Sequence, residues 1–379
     1  MSFEPIYIIN PDTYNHYPYL IEGLCANHTP EAIALLEQIC FKKFLCGYSL
    51  SGNPYATHIL QKNEKYIHWK ELSYNRNAIH ILKRHLNKIS WDRLSSNPNG
   101  FELLKFYLEN KHLSNTNNNS FTLSELFSNL FEQIKSLFNN SKNDINWTSF
   151  ANHTDPRILS LLKSNLDKLD KLGWKCLSLN PNAIDILAEN LDKVWWRGLS
   201  ENPNAIHLLE QNMDKVDWET LSSNPNAIHL LEQNMSKISW QYIAWNPNAI
   251  HLLKEHWDIV KKFSYLLSRN PSATRLLKED LIYADWFCLS LNPNAIDILE
   301  NNFHKIRWDT LPINPNAIDL LRNNLDKLDK AGWYLLGTNK NVTQIICRLD
   351  FASMRIRNEP FAKELSKYVV VRNERLLCT

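Results

Sequence analysis

Asn202-Pro203-Asn204-Ala205-Ile206-His207-Leu208-Leu209-Glu210 returns as Asn224-Pro225-Asn226-Ala227-Ile228-His229-Leu230-Leu231-Glu232, and again from Asn246 with Lys254 at the last place, each copy 22 residues after the last. Outward from this core, Asn-Pro-Asn-Ala also opens at Asn180, Asn292 and Asn314, and weaker copies start at Thr29, Asn53, Asn75, Asn97, Asp155, Asn270 and Asn339. Thirteen units therefore run from about residue 29 to about residue 360, with the spacing widening to 24 or 25 where a turn lengthens, as at Asp170-Lys171-Leu172-Gly173 and Asp329-Lys330-Ala331-Gly332. A fixed period of this size marks a repeat architecture, in which each unit buries its apolar face against its neighbours.

Let the first Asn of a unit be position 0. Asn followed by Pro predicts an N-cap and first helical residue, because the amide satisfies an orphan N–H and Pro has none to lose. Apolar residues at positions 3, 4, 6, 7 and 11 predict an amphipathic helix of about ten residues. Asn at position 10 (Asn63, Asn165, Asn190, Asn212, Asn234, Asn302, Asn324) predicts a left-handed helix stop. Trp recurs six residues before the next unit (Trp69, Trp91, Trp174, Trp196, Trp218, Trp240, Trp286, Trp308, Trp333), with Leu or Ile three residues on. That spacing puts both on one face of a second short helix, with Ser90, Asp217, Ser239 and Asp285 as candidate caps.

Neither helix is long enough to be stable alone. The expected fold is therefore all-α: an α-solenoid of about thirteen helix-pair repeats of 22–25 residues, with terminal caps and one helical insertion. A leucine-rich repeat has a similar period but needs a strand of alternating apolar residues; here the apolar spacing is 3 and 4, and Pro stands where a strand would pair. At about 8–10 Å per stacked helix pair, the array would be on the order of 110 Å long. The expected divisions are an N-terminal cap over residues 1–28, the solenoid over 29–338, and a degenerate repeat and cap over 339–379. The insertion, 111–144, holds a low-complexity loop from Ser114 to Ser120. Beyond the loop, Leu123, Leu126, Phe127, Leu130, Phe131, Ile134, Leu137 and Phe138 recur at helical spacing. That helix reads as a flap on the solenoid or as a docking helix, and its single basic residue, Lys135, argues against an anionic membrane.

Composition narrows the partners. Lys and Arg number 42 against 40 Asp and Glu, a formal net charge of +2, so electrostatics give no case for nucleic acid or membrane as the main partner. Only 8 Gly leave little room for phosphate loops, whereas Asn reaches 46. The 7 Cys form no Cys-x-x-Cys pair, so neither a disulfide framework nor a zinc site is expected. No signal peptide opens the chain and no apolar run reaches about 18 residues, so a soluble, cytoplasmic protein is expected.

On the first helix, positions 2, 5 and 9 point away from the apolar face. Position 5 carries His58, His80, His207, His229 and His251, with Asp185, Asp297 and Asp319 in other units; position 9 includes Gln211 and Gln233. Metal binding is not expected: ligands converge to about 2 Å from one ion, whereas neighbouring repeats lie about 10 Å apart. The column reads either as a solvated polar face or as a hydrogen-bonding surface for an extended peptide or RNA. The Lys at position 13 would serve an RNA groove, but Asp167, Asp192, Asp214 and Asp326 stand beside it. The Trp column reads as core, with an exposed stacking ladder as the other reading. Trp195, Trp245 and Trp257 fall outside it and are candidate exposed contacts. The candidate partner-binding residues are thus the histidines and aspartates of position 5, Gln211, Gln233, Trp245, Trp257, and Phe127 and Phe131 of the insertion.

No Walker A, Gly-x-Gly-x-x-Gly, Gly-x-Ser-x-Gly or His-Glu-x-x-His motif occurs, so neither a catalytic residue nor a cofactor is expected. The unit beginning Asn202-Pro203-Asn204-Ala205-Ile206 resembles short helical repeats in proteins of giant, mimivirus-like DNA viruses, over most of residues 29–340. The resemblance implies a viral protein of infected host cytoplasm or a viral factory and carries no assigned activity. The expected role is a non-catalytic scaffold binding another protein within a larger assembly, for viral gene expression, translation or control of a host factor. An RNA-binding repeat protein and a virion structural component are the alternatives.

Overall fold

A computed structural model describes residues 7–9, 17–39, 46–110 and 144–349. Its architecture is an all-α repeat array, the expected α-solenoid, built from pairs of short helices such as Trp196–Glu201 with Ile206–Glu210 and Trp240–Ile243 with Ile250–Glu255. The chain divides into two compact units: Cys46–Arg307, and one made of both chain ends, Met1–Leu45 with Trp308–Thr379. Residues 111–143 of the insertion, with Phe127 and Phe131, lie outside the described residues.

The buried stripe matches the apolar spacing. In the unit at Asn202, Ala205 and Leu209 are fully buried, Leu208 nearly so, and Leu199 of the preceding helix is fully buried. The joints between units rest on a buried polar ladder. Asn224 Nδ2 donates to the carbonyls of Ser200 and Asn202 one unit back, at 3.0 and 3.1 Å, while its Oδ1 accepts from Asn226 N. Asn75, Asn97 and Asn246 repeat the double donation. One amide thus ties a turn to itself and to its neighbour, which explains why Asn occupies a position that is nearly 0% exposed.

Three local expectations need correction. The position-0 Asn is not the residue before an α-helix: Asn202 opens a turn, the α-helix begins at Ile206, and Ala205 stands at its N-cap. The position-10 Asn is not left-handed: Asn234 has φ −133° and Asn302 φ −131°. Each stops its helix with its side chain, as when Asn234 Nδ2 donates to Leu230 O at 2.9 Å. Asp217 and Asp285 cap their helices as expected, whereas Ser90 and Ser239 make no side-chain cap bond.

Two units are offset from their sequence match. Asp155 and Thr29 align with position 0, but the ladder residues are His153 and Asn27. His153 Nδ1 accepts from Asp155 N, and its Nε2 lies 3.2 Å from Asn97 O, so the ring makes both kinds of bond that an Asn amide makes elsewhere. Asp155 and Thr29 then act as true N-caps before Pro156 and Pro30, each accepting a backbone N–H.

The end unit shows a connection the repeat pattern did not predict. Asn27 Nδ2 donates to Gly337 O and Asn339 O, both at 2.8 Å, as an ordinary ladder Asn does to the unit before it. The helix Tyr17–Ala26 lies on Lys330–Thr338, and Tyr7–Ile9 pairs antiparallel with Cys347–Leu349. A Cβ on Gly23 would stand 2.2 Å from Tyr334 O, so the close helix contact needs glycine there. The segments expected to cap opposite ends therefore pack on each other, because Asn27 carries the donor that the last carbonyls lack.

Candidate protein-binding surface

The first candidate surface is the position-5 column, which turns out to be occupied largely by its own neighbours. Position 5 of one unit meets position 8 of the unit before. His229 Nε2 lies 3.0 Å from Glu210 Oε1, His251 Nε2 lies 2.8 Å from Glu232 Oε1, and His80 pairs with Gln61. Lys278 Nζ hydrogen-bonds Asp297 and holds its carboxyl below the ordinary aspartate range. Asp319 pairs within its helix with Arg322 at 2.8 Å. Asp185 and His207 are exposed and have no such partner among the described residues: Ala188 stands at position 8 before His207, and Lys163 turns to Glu189 instead of Asp185. Gln211, Gln233 and His58 are exposed as well. At position 2, Asn226 Nδ2 donates to Pro203 O and Asn248 Nδ2 to Pro225 O, so this Asn column also joins units.

The Trp column is neither fully buried nor a free stacking ladder. Trp91, Trp174 and Trp333 are buried at 3%, 8% and 2% exposure, and the other column members are half-buried. Over the open faces lie the position-13 lysines: Lys88 Nζ is 4.6 Å from the Trp69 ring centre, Lys215 4.9 Å from Trp196, and Lys237 4.5 Å from Trp218. These are cation–π contacts. They turn a column that would suit phosphates onto the protein's own indoles.

A second ladder, which the sequence reading did not single out, uses Ser two residues before the ladder Asn. Ser222 Oγ donates to Trp218 O at 2.7 Å and accepts from Ser239 N at 2.9 Å; Ser51, Ser73, Ser178 and Ser200 do the same, and Ser268 Oγ accepts from Asp285 N. Its signal was the recurrence of Ser at that one position. Ala244 breaks it.

At that break the outer face of the second helices changes character. Trp245, Tyr265 and Phe287 are 40%, 47% and 41% exposed. Tyr265 and Phe287 hold equivalent places on successive second helices, Ser264–Arg269 and Trp286–Leu291. Arg269 joins the group: its guanidinium carbon lies 5.3 Å from the Trp245 ring centre, and Nη1 donates to the Tyr265 hydroxyl at 3.0 Å. Beneath, Cys288 is 1% exposed, and burial, with Asp285 beside it, pushes its thiol up to about 11. Trp257, named with Trp245 as an exposed contact, is half-buried and packs edge-on against Tyr283. Of the sequence candidates, only Trp245 falls in this patch. Tyr265, Arg269 and Phe287 carry no periodic signal of their own, because the Trp-to-Leu spacing marks only the inner face of these second helices.

Among the described residues, no group of three or more His, Cys, Asp or Glu side chains could hold a metal ion, and no helix is long and apolar enough to cross a membrane. A groove of about 500 Å³ beside Leu86, Leu103 and Phe106 is rimmed by Lys83, Lys105, Glu102 and Glu109, whose charges cancel. Set against known protein families, curated proteins and solved structures, the chain matches none.

Proposed function

We propose that this chain is a non-catalytic repeat scaffold that binds another protein through the patch of Trp245, Tyr265, Arg269 and Phe287. The observation that carries the reading is this patch, in which an exposed Arg is held between two outer-face aromatics of successive units, with Phe287 exposed on the next helix. Trp, Tyr and Arg are the side chains that most often dominate protein interfaces. Elsewhere the same face exposes single rings such as Tyr48 and Tyr74 without an Arg among them, or carries answered charge, with Arg197 near Glu219 and Asp217. A repeated environment serves stacking, whereas a binding site needs some units to differ from the rest. The lysines that an RNA reader would direct at phosphates lie instead over Trp rings, which favours protein over RNA. The likeness of its repeat to those of giant-virus proteins adds the proposal that the scaffold is virus-encoded and acts within a larger assembly.

The test is affinity purification on the full chain and on a Trp245→Ala, Tyr265→Ala variant, followed by titration of the recovered partner. A loss of about tenfold or more in affinity, with helical circular dichroism unchanged, is expected. Equal affinity for both proteins overturns the reading.

A further inference from the structure

We infer that the patch takes a linear peptide segment in which a carboxylate stands next to an aromatic or aliphatic side chain; this rests on the protein-binding reading above. The charge of the patch carries the inference. Along the outer face, Gln241, Trp245, Tyr265, Arg269, Phe287 and Leu291 include one cation and no acid. Arg269 is exposed and forms no ion pair with any carboxylate of the described residues, and its Nη1 donates to the Tyr265 hydroxyl. A guanidinium has five N–H donors. Those left over suit a carboxylate, which can accept two of them in parallel.

The contrast with Arg197 is informative. That Arg has Glu219 at 3.4 Å and Asp217 at 3.8 Å, which answer its charge within the protein. Arg269 is instead framed by the Trp245 ring and the Tyr265 hydroxyl, which hold the guanidinium at the surface without neutralising it. The surrounding aromatic area provides apolar contact for side chains beside the acid. A single cation among rings fits one carboxylate better than a nucleic-acid strand, which brings a phosphate with every nucleotide and is held by a basic groove.

The probe is a display library of random twelve-residue peptides panned on the immobilised full chain, with the Trp245→Ala protein as counter-selection. Enriched peptides are expected to carry Asp or Glu within two residues of an aromatic residue or Leu. Arg269→Gln should weaken a synthetic enriched peptide about tenfold. Replacing the peptide's acid by its amide should cost the wild type a similar factor and cost Arg269→Gln little more, the mark of a direct pair. Peptides without acids, or equal binding to Arg269→Gln, overturn the carboxylate inference; if Trp245→Ala still abolishes binding, the protein-binding reading stands. Failure to enrich any peptide, or binding insensitive to both substitutions, overturns both. A twelve-nucleotide oligothymidylate that outcompetes the peptides at physiological salt and depends on Arg269 reassigns the patch to nucleic acid and overturns the inference.

Discussion

The second helices over 196–223 and those over 240–291 share one way of joining and differ in what they show to solvent. Asn224, directly after the first stretch, and Asn270, within the second, each donate to two carbonyls of the unit before. Outward, the first stretch presents Arg197, Glu201, Glu219 and Ser223, and the second presents Trp245, Tyr265, Arg269 and Phe287. The change coincides with the loss of the Ser bridge at Ala244 and of Trp from its column, where Ser264 stands. The lesson is a separation of duties within one short motif. Buried amides and aliphatic side chains hold the array together, so the outer positions are free to vary between units.

The comparison can be broken most forcefully at a joint. Asn224→Ala removes two donated bonds and leaves the carbonyls of Ser200 and Asn202 without this donor. A loss of about 3 kcal/mol is expected, and Asn270→Ala should cost a similar amount. Urea unfolding of both variants checks this, and a large difference would show that the two stretches are not joined alike. Trp218→Ala follows, at about 2–3 kcal/mol, below the 3–5 typical of a fully buried aromatic, since Trp218 is half-buried and covered by Lys237. Ser222→Ala removes one bridge and should cost about 1–2 kcal/mol. Differential scanning calorimetry ranks these two.

The outer faces should respond in the opposite sense. Trp245→Ala is expected to change stability by less than about 1 kcal/mol while weakening partner binding, whereas Glu219→Ala changes neither; thermal melts and binding titrations on the same samples separate the two. The smallest effect lies on the first helix. In wild type the Asp297 carboxyl should titrate below the ordinary aspartate range and return to it in Lys278→Ala, read by NMR. The Lys278 bond favours the ionised form, so its contribution is present above the ordinary range and fades as pH falls through the lowered value. An unchanged titration would remove the pair from the account of this face.

Much of the array was legible in the chain. The 22-residue period, the helix pairs and the buried aliphatic positions follow from spacing alone, because helical geometry converts periods of 3 and 4 into a face whatever the neighbours do. The Asn excess pointed to position 0, yet its role as a donor between units was not readable: a cap and a ladder bond use the same side chain, and only stacked neighbours bring the second partner within reach. The position-10 Asn was misread for a similar reason, since an amide can end a helix through its backbone or through its side chain. His153 and Asn27 replaced the residues that sequence alignment favours because hydrogen-bond geometry, not residue identity, defines a ladder position. The candidate site was legible only at Trp245. Tyr265, Arg269 and Phe287 lie 20, 24 and 42 residues further along the chain, and only the stacking of second helices gathers them onto one face. Local periodicity determines which faces a short helix has; the tertiary structure decides which side chains from different units share one, because that depends on register and spacing between units.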